Sequence, residues 1–383
     1  MKILYVIETC GGGSGRHLLD LAGGMSQQGN EVHVAFSPLR ADPRFLEALA
    51  RLRGVRRFPI DMQTTPGSDD LKALRRLKRY IKHMGPFDVV HGHSSKGGAL
   101  ARMAVGRSSA RAIYTPHALY TMNPSLSPLK QRIYGAVEKL LAAVATDSII
   151  LVSEEEHDHA RQQGLPEQKM KVIVNSVGAR SENELCEMRA RVRSRLGVDD
   201  SVPVLGFVGR LDEQKAPERF IELAARLQAQ HAEARFIMLG SGPKEGLIQR
   251  LIEEYGLART VKLFTDASGE AFMPAFDLLL MTSRYEAMPY VLIEALAAGL
   301  PIVSTDVGGA RTVIEEGVNG YVVPESDDSS AMLDRVVSLL RHPQRRSEFA
   351  QASRQKSASF QTDAMVNDTL DYYSVAGQQR SLP

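Results

Sequence analysis

The chain has 383 residues, 43% apolar and 24% charged, with 31 glycines, 18 prolines and two cysteines. That length sets an expectation of about two to three domains, and the composition excludes collagen-like, low-complexity and disordered classes. Cys10 and Cys186 are too few for a disulfide framework or a cysteine zinc site, so a reduced, cytoplasmic setting is expected. The net charge of +2 hides an asymmetry: residues 1–140 hold 21 Lys/Arg against 10 Asp/Glu, and the remainder is acidic. A basic first part suits an anionic partner, nucleic acid or membrane, as well as a merely solvated face.

The apolar run Ile3–Ile7 ends at Glu8, too short for a secretion signal. Lys2–Glu8 reads as a strand buried on both faces. Gly11–Gly15 reads as a loop belonging to neither element. Leu18, Leu21, Ala22 and Met25 then give helical spacing, and Glu31–Phe36 the next strand. Strands follow at Asp88–His91, Arg111–Thr115, Ser148–Val152 and Lys171–Val174, with Ser153–Glu156 as a capping box. The most apolar stretch, Leu140–Val152, contains Thr146, Asp147 and Ser148 and cannot span a bilayer. A linker is expected near 177–182, before a charged helix Arg189–Leu196. Strands at Val202–Val208, Arg235–Leu239, Val261–Phe264, Asp277–Met281, Pro301–Ser304 and Tyr321–Val323 alternate with helices to form a second α/β unit. Two such units in tandem predict a cleft, with chemistry at the carboxyl ends of the strands.

The glycine loop has Arg16 where both the dinucleotide and the P-loop spacings would fail, so it is no evidence for either site. Its amides still suit an anion at a helix N-terminus. Arg210 and Lys215 follow the strand ending at Val208, where a guanidinium and an ammonium would meet phosphate. Glu286 precedes a helix and Glu294 lies about one turn inside it, with Pro289 expected in its first turn. Amides and partial positive charge at that helix end suit phosphate, and the carboxylates suit sugar hydroxyls. His91 and His93 read as strand-end structural residues because no further metal ligand is evident near them in sequence. The acids of Glu154–His159 read as a first helical turn rather than a metal cluster. Lys72, Arg75, Arg76, Lys78, Arg79 and Lys82 surround Leu71, Leu74 and Ile81 on a basic amphipathic helix near 70–83 that would suit an anionic membrane surface. No aromatic-interleaved basic motif, zinc finger or RNA-module signature supports nucleic acid.

Taken in order, the Gly loop, Asp88-Val-Val-His-Gly-His93, Thr115-Pro-His117, Val172–Val177, Gly209-Arg210 with Lys215, Leu239–Pro243, Glu286 to Glu294 and Asp306-Val-Gly-Gly309 resemble retaining glycosyltransferases of family 4. The resemblance runs over nearly the whole chain. It implies an α/β GT-B fold of two Rossmann-like domains facing across a cleft: an acceptor-binding domain at 1–178, a nucleotide-sugar-binding domain at 183–362, and a helix within 363–383 crossing back to the first. It implies that Arg210 and Lys215 hold the donor diphosphate, Glu294 the ribose and Glu286 the transferred sugar. His117 would stand beside donor sugar and diphosphate, Gly12 and Gly13 near the diphosphate, and Ser241, Gly242 and Pro243 near the base. The amides of Tyr290 and Val291 would serve the phosphate, because Met288-Pro289 replaces the family's usual Phe-Gly and proline has no N–H. No cofactor and no metal is expected. The implied partners are a nucleotide-sugar donor, UDP before GDP, a glycan or lipid-linked acceptor, and an anionic surface at the inner face of the cell membrane. A sugar-nucleotide epimerase of the same fold, and a non-catalytic nucleotide-sugar or nucleic-acid binder, are the alternatives.

Overall fold

The computed structural model describes residues 1–375 apart from Thr64 and Arg107, so residues 376–383 of the expected crossing segment lie outside the described residues. The chain forms two compact units: Met1–Ser176 with the helix Thr362–Val375, and Val177–Gln361.

The first unit holds β1 (Lys2–Ile7), β2 (Glu31–Phe36), β3 (Val55–Pro59), β4 (Val89–His93), β5 (Arg111–Thr115), β6 (Ser148–Leu151) and β7 (Met170–Val172). They form one parallel sheet in the order β3-β2-β1-β4-β5-β6-β7. The continuous apolar run of β1 is explained by burial on both faces. Ile3, Tyr5 and Ile7 pack with Leu18, Leu21 and Met25 of the helix Gly12–Gln27, whereas Leu4 and Val6 pack with Leu77, Ile81 and Leu100 on the other side. Met365, Val366 and Tyr373 of Thr362–Val375 complete the first of these clusters.

Three local expectations change. Gly12–Gly15 is not a separate loop but the first turn of the helix Gly12–Gln27. Glycine at position 15 answers close approach rather than helix breaking, because a Cβ there would lie 2.2 Å from the Cys10 carbonyl oxygen. The edge strand β3 was hidden by its sequence: Arg56 and Arg57 are exposed and Pro59 closes it, devices that protect a sheet edge from further pairing. Ser153 does cap the helix Glu154–Gln162, its Oγ accepting from the Glu156 amide at 3.1 Å, but the Glu156 carboxylate is spent elsewhere instead of closing a capping box.

The second unit holds β8 (Val204–Val208), β9 (Arg235–Leu239), β10 (Val261–Phe264), β11 (Leu278–Met281), β12 (Ile302–Thr305) and β13 (Gly320–Val323), parallel in the order β10-β9-β8-β11-β12-β13. Its charged helix is longer than expected, Glu182–Leu196, opening on a capping box between Ser181 and Glu184 and closing at left-handed Gly197. Arg189 and Arg193 reach the Asp277 carboxylate at 2.7 and 3.1 Å. That carboxylate also accepts from the Val204 amide at 2.8 Å, tying the start of β8 to that of β11.

Candidate functional site

Sheet order reverses between β8 and β11 in the second unit. Open parallel sheets bind ligands outside the carboxyl ends of the strands at such a reversal. The loops leaving these two strands carry Arg210 and Lys215 on one side and Glu286 on the other. Lys215 Nζ lies 2.5 Å from Glu286 Oε1, with side-chain exposures of 19% and 7%. Arg210, 62% exposed, pairs with Asp212 Oδ2 at 2.7 Å, and Asp212 Oδ1 accepts from the Lys215 amide at 3.1 Å. One carboxylate therefore orients both cation-bearing positions. Gln214 Nε2 donates to the Tyr285 carbonyl at 3.1 Å and to Glu286 Oε2 at 3.3 Å, joining the two loops. Asp212 and Gln214 escaped the sequence reading, although their place between Arg210 and Lys215 was a usable signal.

The backbone here is held in an unusual shape. Ala216 has φ +46°, and the Thr282 hydroxyl binds the carbonyls of Lys215 and Ala216 at 3.0 and 3.1 Å. Ser241–Pro243 lies against the same loop: the Leu211 amide donates to the Ser241 carbonyl at 3.0 Å, and the Lys244 amide to the Leu211 carbonyl at 2.8 Å. Only glycine fits at position 240, where a Cβ would lie 1.9 Å from the Gly209 carbonyl oxygen. Pro289 is the N-cap of the helix Tyr290–Ala297, one position earlier than expected, because its ψ of 119° is extended. Tyr290 and Val291 are thus the first two helical residues, with buried side chains, as is that of Met288. Glu294 points toward the end of β8: a Cβ on Gly269 would lie 3.9 Å from its Oε2 and 2.7 Å from Val208 Cγ1.

An ion network braces the loop after β11. Arg284 contacts Glu213, Glu218 and Asp327 at 3.1, 3.2 and 2.8 Å. Arg219, 5% exposed, reaches Glu325 and Asp327 at 2.7 Å each. Hydrogen bonds from these two arginines hold the Asp327 carboxyl down at about 2.

In the first unit the order reverses between β1 and β4. Gly12 there has φ +64° and open space where a Cβ would stand. Beside this reversal four imidazoles gather: His17 from the first helix, His91 and His93 from β4, and His117 from the turn after β5. His93 Nδ1 and His117 Nε2 share a hydrogen bond at 3.0 Å, and the ring centroids of His17 and His117 are 4.7 Å apart. His91 bonds Tyr373 Oη at 2.6 Å and Thr115 Oγ1 at 2.8 Å. Burial lowers all four basicities, that of His17 to about 4 and the other three well below the usual histidine range. His91 is buried and bonded at both ring nitrogens. His93, by contrast, gains two histidine neighbours that sequence spacing concealed.

His117 and Ala118 have φ of +56° and +83°, costly for non-glycine residues. Glu156 pins this turn. One of its oxygens accepts from the amides of Ala118 and Leu119 at 2.8 and 3.0 Å, and the other from the Val152 amide at 2.9 Å. Burial pushes its carboxyl up to about 7, against the opposing pull of these amides. Nothing local in the sequence marks Glu156 as a partner of position 118.

With this geometry in hand, likeness to known proteins is informative. Residues 11–179 match the model of Glycosyltransferase Family 4, and residues 188–356 that of Glycosyl transferases group 1. EpsD of Bacillus subtilis, named as a glycosyltransferase, is 30% identical over 359 residues, covering 91% of this chain and 90% of that protein. The chain belongs to glycosyltransferase family 4. Among other relatives of this glycosyltransferase, the alpha-D-kanosaminyltransferase of Streptomyces kanamyceticus is 28% identical over 73% of this chain and 75% of that protein. In fold it is similar to HepE of Anabaena, crystallised in complex with UDP and glucose. The TM-score is 0.82 at 21% identity, covering 98% of this chain and 100% of that one. The glycosyltransferase thus has a GT-B fold of two Rossmann-like units. The histidine array lies within the first matched segment and the Arg210–Glu294 constellation within the second.

Proposed function

We propose that this enzyme is a retaining hexosyltransferase that moves a sugar from a nucleotide-sugar, UDP-linked before GDP-linked, to a hydroxyl of a glycan or lipid-linked acceptor. The observation that carries the reading is the braced Lys215–Glu286 pair, with Arg210 beside it, at the β8/β11 reversal. The UDP complexes of HepE support the choice of base. As the glycosidic bond breaks, negative charge builds on the β-phosphate. Arg210, Lys215 and the amides of Tyr290 and Val291 offset it without a metal. Glu294 takes the ribose hydroxyls, Ser241–Pro243 borders the base, and Met288 lines the donor pocket. Glu286 retains acceptor capacity for a sugar hydroxyl while holding Lys215. The first unit serves the acceptor, with Gly12 and Gly13 assigned to the diphosphate and His117 to the donor sugar where the acceptor hydroxyl arrives. The acceptor oxygen bonds the anomeric carbon on the face the diphosphate leaves, and its proton passes to the departing phosphate oxygen.

Incubation with UDP- and GDP-sugars and candidate acceptors in chelator tests this. The expected product has the donor's anomeric configuration by proton coupling constants. An inverted product would contradict retention, and transfer that stops in chelator would contradict the metal-free part.

The reading includes contact with an anionic membrane surface. No helix among the described residues is long and apolar enough to cross a membrane. All six cations of the helix Ser68–Met84 are exposed. A feature the sequence reading passed over adds to them: on the helix Pro128–Val144, Leu129, Ile133, Val137, Leu140 and Val144 form one exposed stripe flanked by Lys130, Arg132 and Lys139. Such a helix suits the headgroup boundary. Binding to vesicles containing anionic lipid is expected to fall at least about tenfold in the double variant Leu129→Glu/Leu140→Glu, since withdrawing only two methylenes from lipid at about 0.8 kcal/mol each already costs that much. Unchanged binding would refute this contact.

A further inference from the structure

We infer that His17, His93 and His117 form a three-imidazole site for a divalent transition metal, zinc before others, and that its occupancy blocks sugar transfer by engaging His117. The blocking part rests on the proposed role of His117. The binding part does not.

One ligating atom from each histidine lies within 4.8 Å of the others. Zn–N bonds of about 2.0–2.1 Å in tetrahedral geometry put nitrogens about 3.3 Å apart. His93 Nδ1 and His117 Nε2 already stand 3.0 Å apart, close to that spacing. The three come from separate elements, the first helix, the end of β4 and the turn after β5. The site is therefore set by the fold, not by a flexible segment.

The hydrogen bonding of the cluster suits a set of metal ligands. His17 Nδ1 lies 3.0 Å from Asn175 Oδ1, an acceptor, so its proton sits on Nδ1 and Nε2 keeps its lone pair. A polar group on the distal nitrogen that fixes tautomer and orientation is the usual support of a metal-binding histidine. The His93–His117 bond needs one proton between two imidazoles. A metal would take its place, the proton moving to the other nitrogen of the donating ring, with no net charge lost. The neutral imidazole is the state that ligates. Three neutral imidazoles suit Zn²⁺, Cu²⁺, Ni²⁺ or Co²⁺ rather than Mg²⁺ or Ca²⁺, and they leave a fourth position open.

The test uses the full chain, stripped of metal and titrated with Co²⁺. The expected result is the visible absorption of a four-coordinate nitrogen site at one ion per chain, bleached by Zn²⁺. His117→Asn tolerates a positive φ and removes a ligand without emptying the core, so it should fold and lose the band. Asn175→Ala should weaken binding about tenfold or more. In the wild type, Zn²⁺ should stop transfer, and chelator should restore it. A wild type without the band, a band that persists in His117→Asn and in His93→Gln, or full transfer with the site occupied would each overturn the inference. The spectrum reports the site whether or not transfer is measurable, so failure of the functional reading and failure of this inference are separate results.

Discussion

Lys215→Ala is expected to lower kcat/KM for sugar transfer by about a hundred- to a thousand-fold, the usual cost of removing one group that stabilises developing charge. Two losses combine. The diphosphate loses a cation, and Glu286, only 7% exposed, loses the partner 2.5 Å away. An unpaired buried carboxylate then repels the same phosphate. The second loss also costs stability, about 3 kcal/mol, the lower end for breaking a buried pair because Lys215 itself is partly exposed. The double variant Lys215→Met/Glu286→Gln separates the two. It should recover most of the stability, measured by denaturant unfolding, while transfer stays low. If Lys215→Ala kept a wild-type kcat/KM, the donor-site assignment would be wrong. If the double variant were no more stable than Lys215→Ala, the pair would not be what braces the two loops.

Acid should destabilise the protein well before its carboxylates are titrated. In the unfolded chain the imidazoles of His17, His91, His93 and His117 take protons near 6.5. In the folded chain burial holds His17 to about 4 and the others well below the usual range. The unfolded state therefore binds more protons over that interval, so the stability present above 6.5 is lost as pH falls. At pH 5 each imidazole contributes a loss of about 2 kcal/mol. Glu156 acts in the opposite sense. Its folded value of about 7 exceeds the ordinary 4.5, so the folded state gains its proton first and one imidazole's loss is roughly offset. The net change at pH 5 is several kcal/mol, read as a fall in the denaturant midpoint between pH 7.5 and 5. A flat midpoint over that range would mean that these rings are solvated and protonated in the folded state.

Most of the second unit's candidate site was legible because its signals are local. Arg210 and Lys215 follow a recognisable strand, and Glu286 and Glu294 bracket a helix start, so strand-end reasoning reached them. Their bracing was less visible. Gln214 acts across two loops some seventy residues apart, donating to Glu286, whereas Asp212 acts within its own loop on Arg210 and the Lys215 amide, and residue type alone reveals neither contact. In the first unit the fold class was readable from β1, apolar throughout, but β3 was not, since an edge strand with two exposed arginines lacks the apolar pattern that marks a strand. The glycines at 12–15 misled because glycine signals both a loop and a close backbone approach, and here Gly15 answers to the second. The histidine array was hidden by distance along the chain. His17, His93 and His117 meet only because β1, β4 and β5 lie side by side, and no spacing rule joins them.

We propose that the second unit grips a nucleoside diphosphate through Arg210 and Lys215 at the β8/β11 reversal. Calorimetric titration of UDP into the metal-free wild type, Arg210→Ala and Lys215→Ala tests it most directly. The wild type should bind UDP at one site per chain, and each variant with an affinity at least about tenfold lower, as loss of a charge-assisted phosphate contact requires. Equal UDP affinity in all three proteins would contradict it.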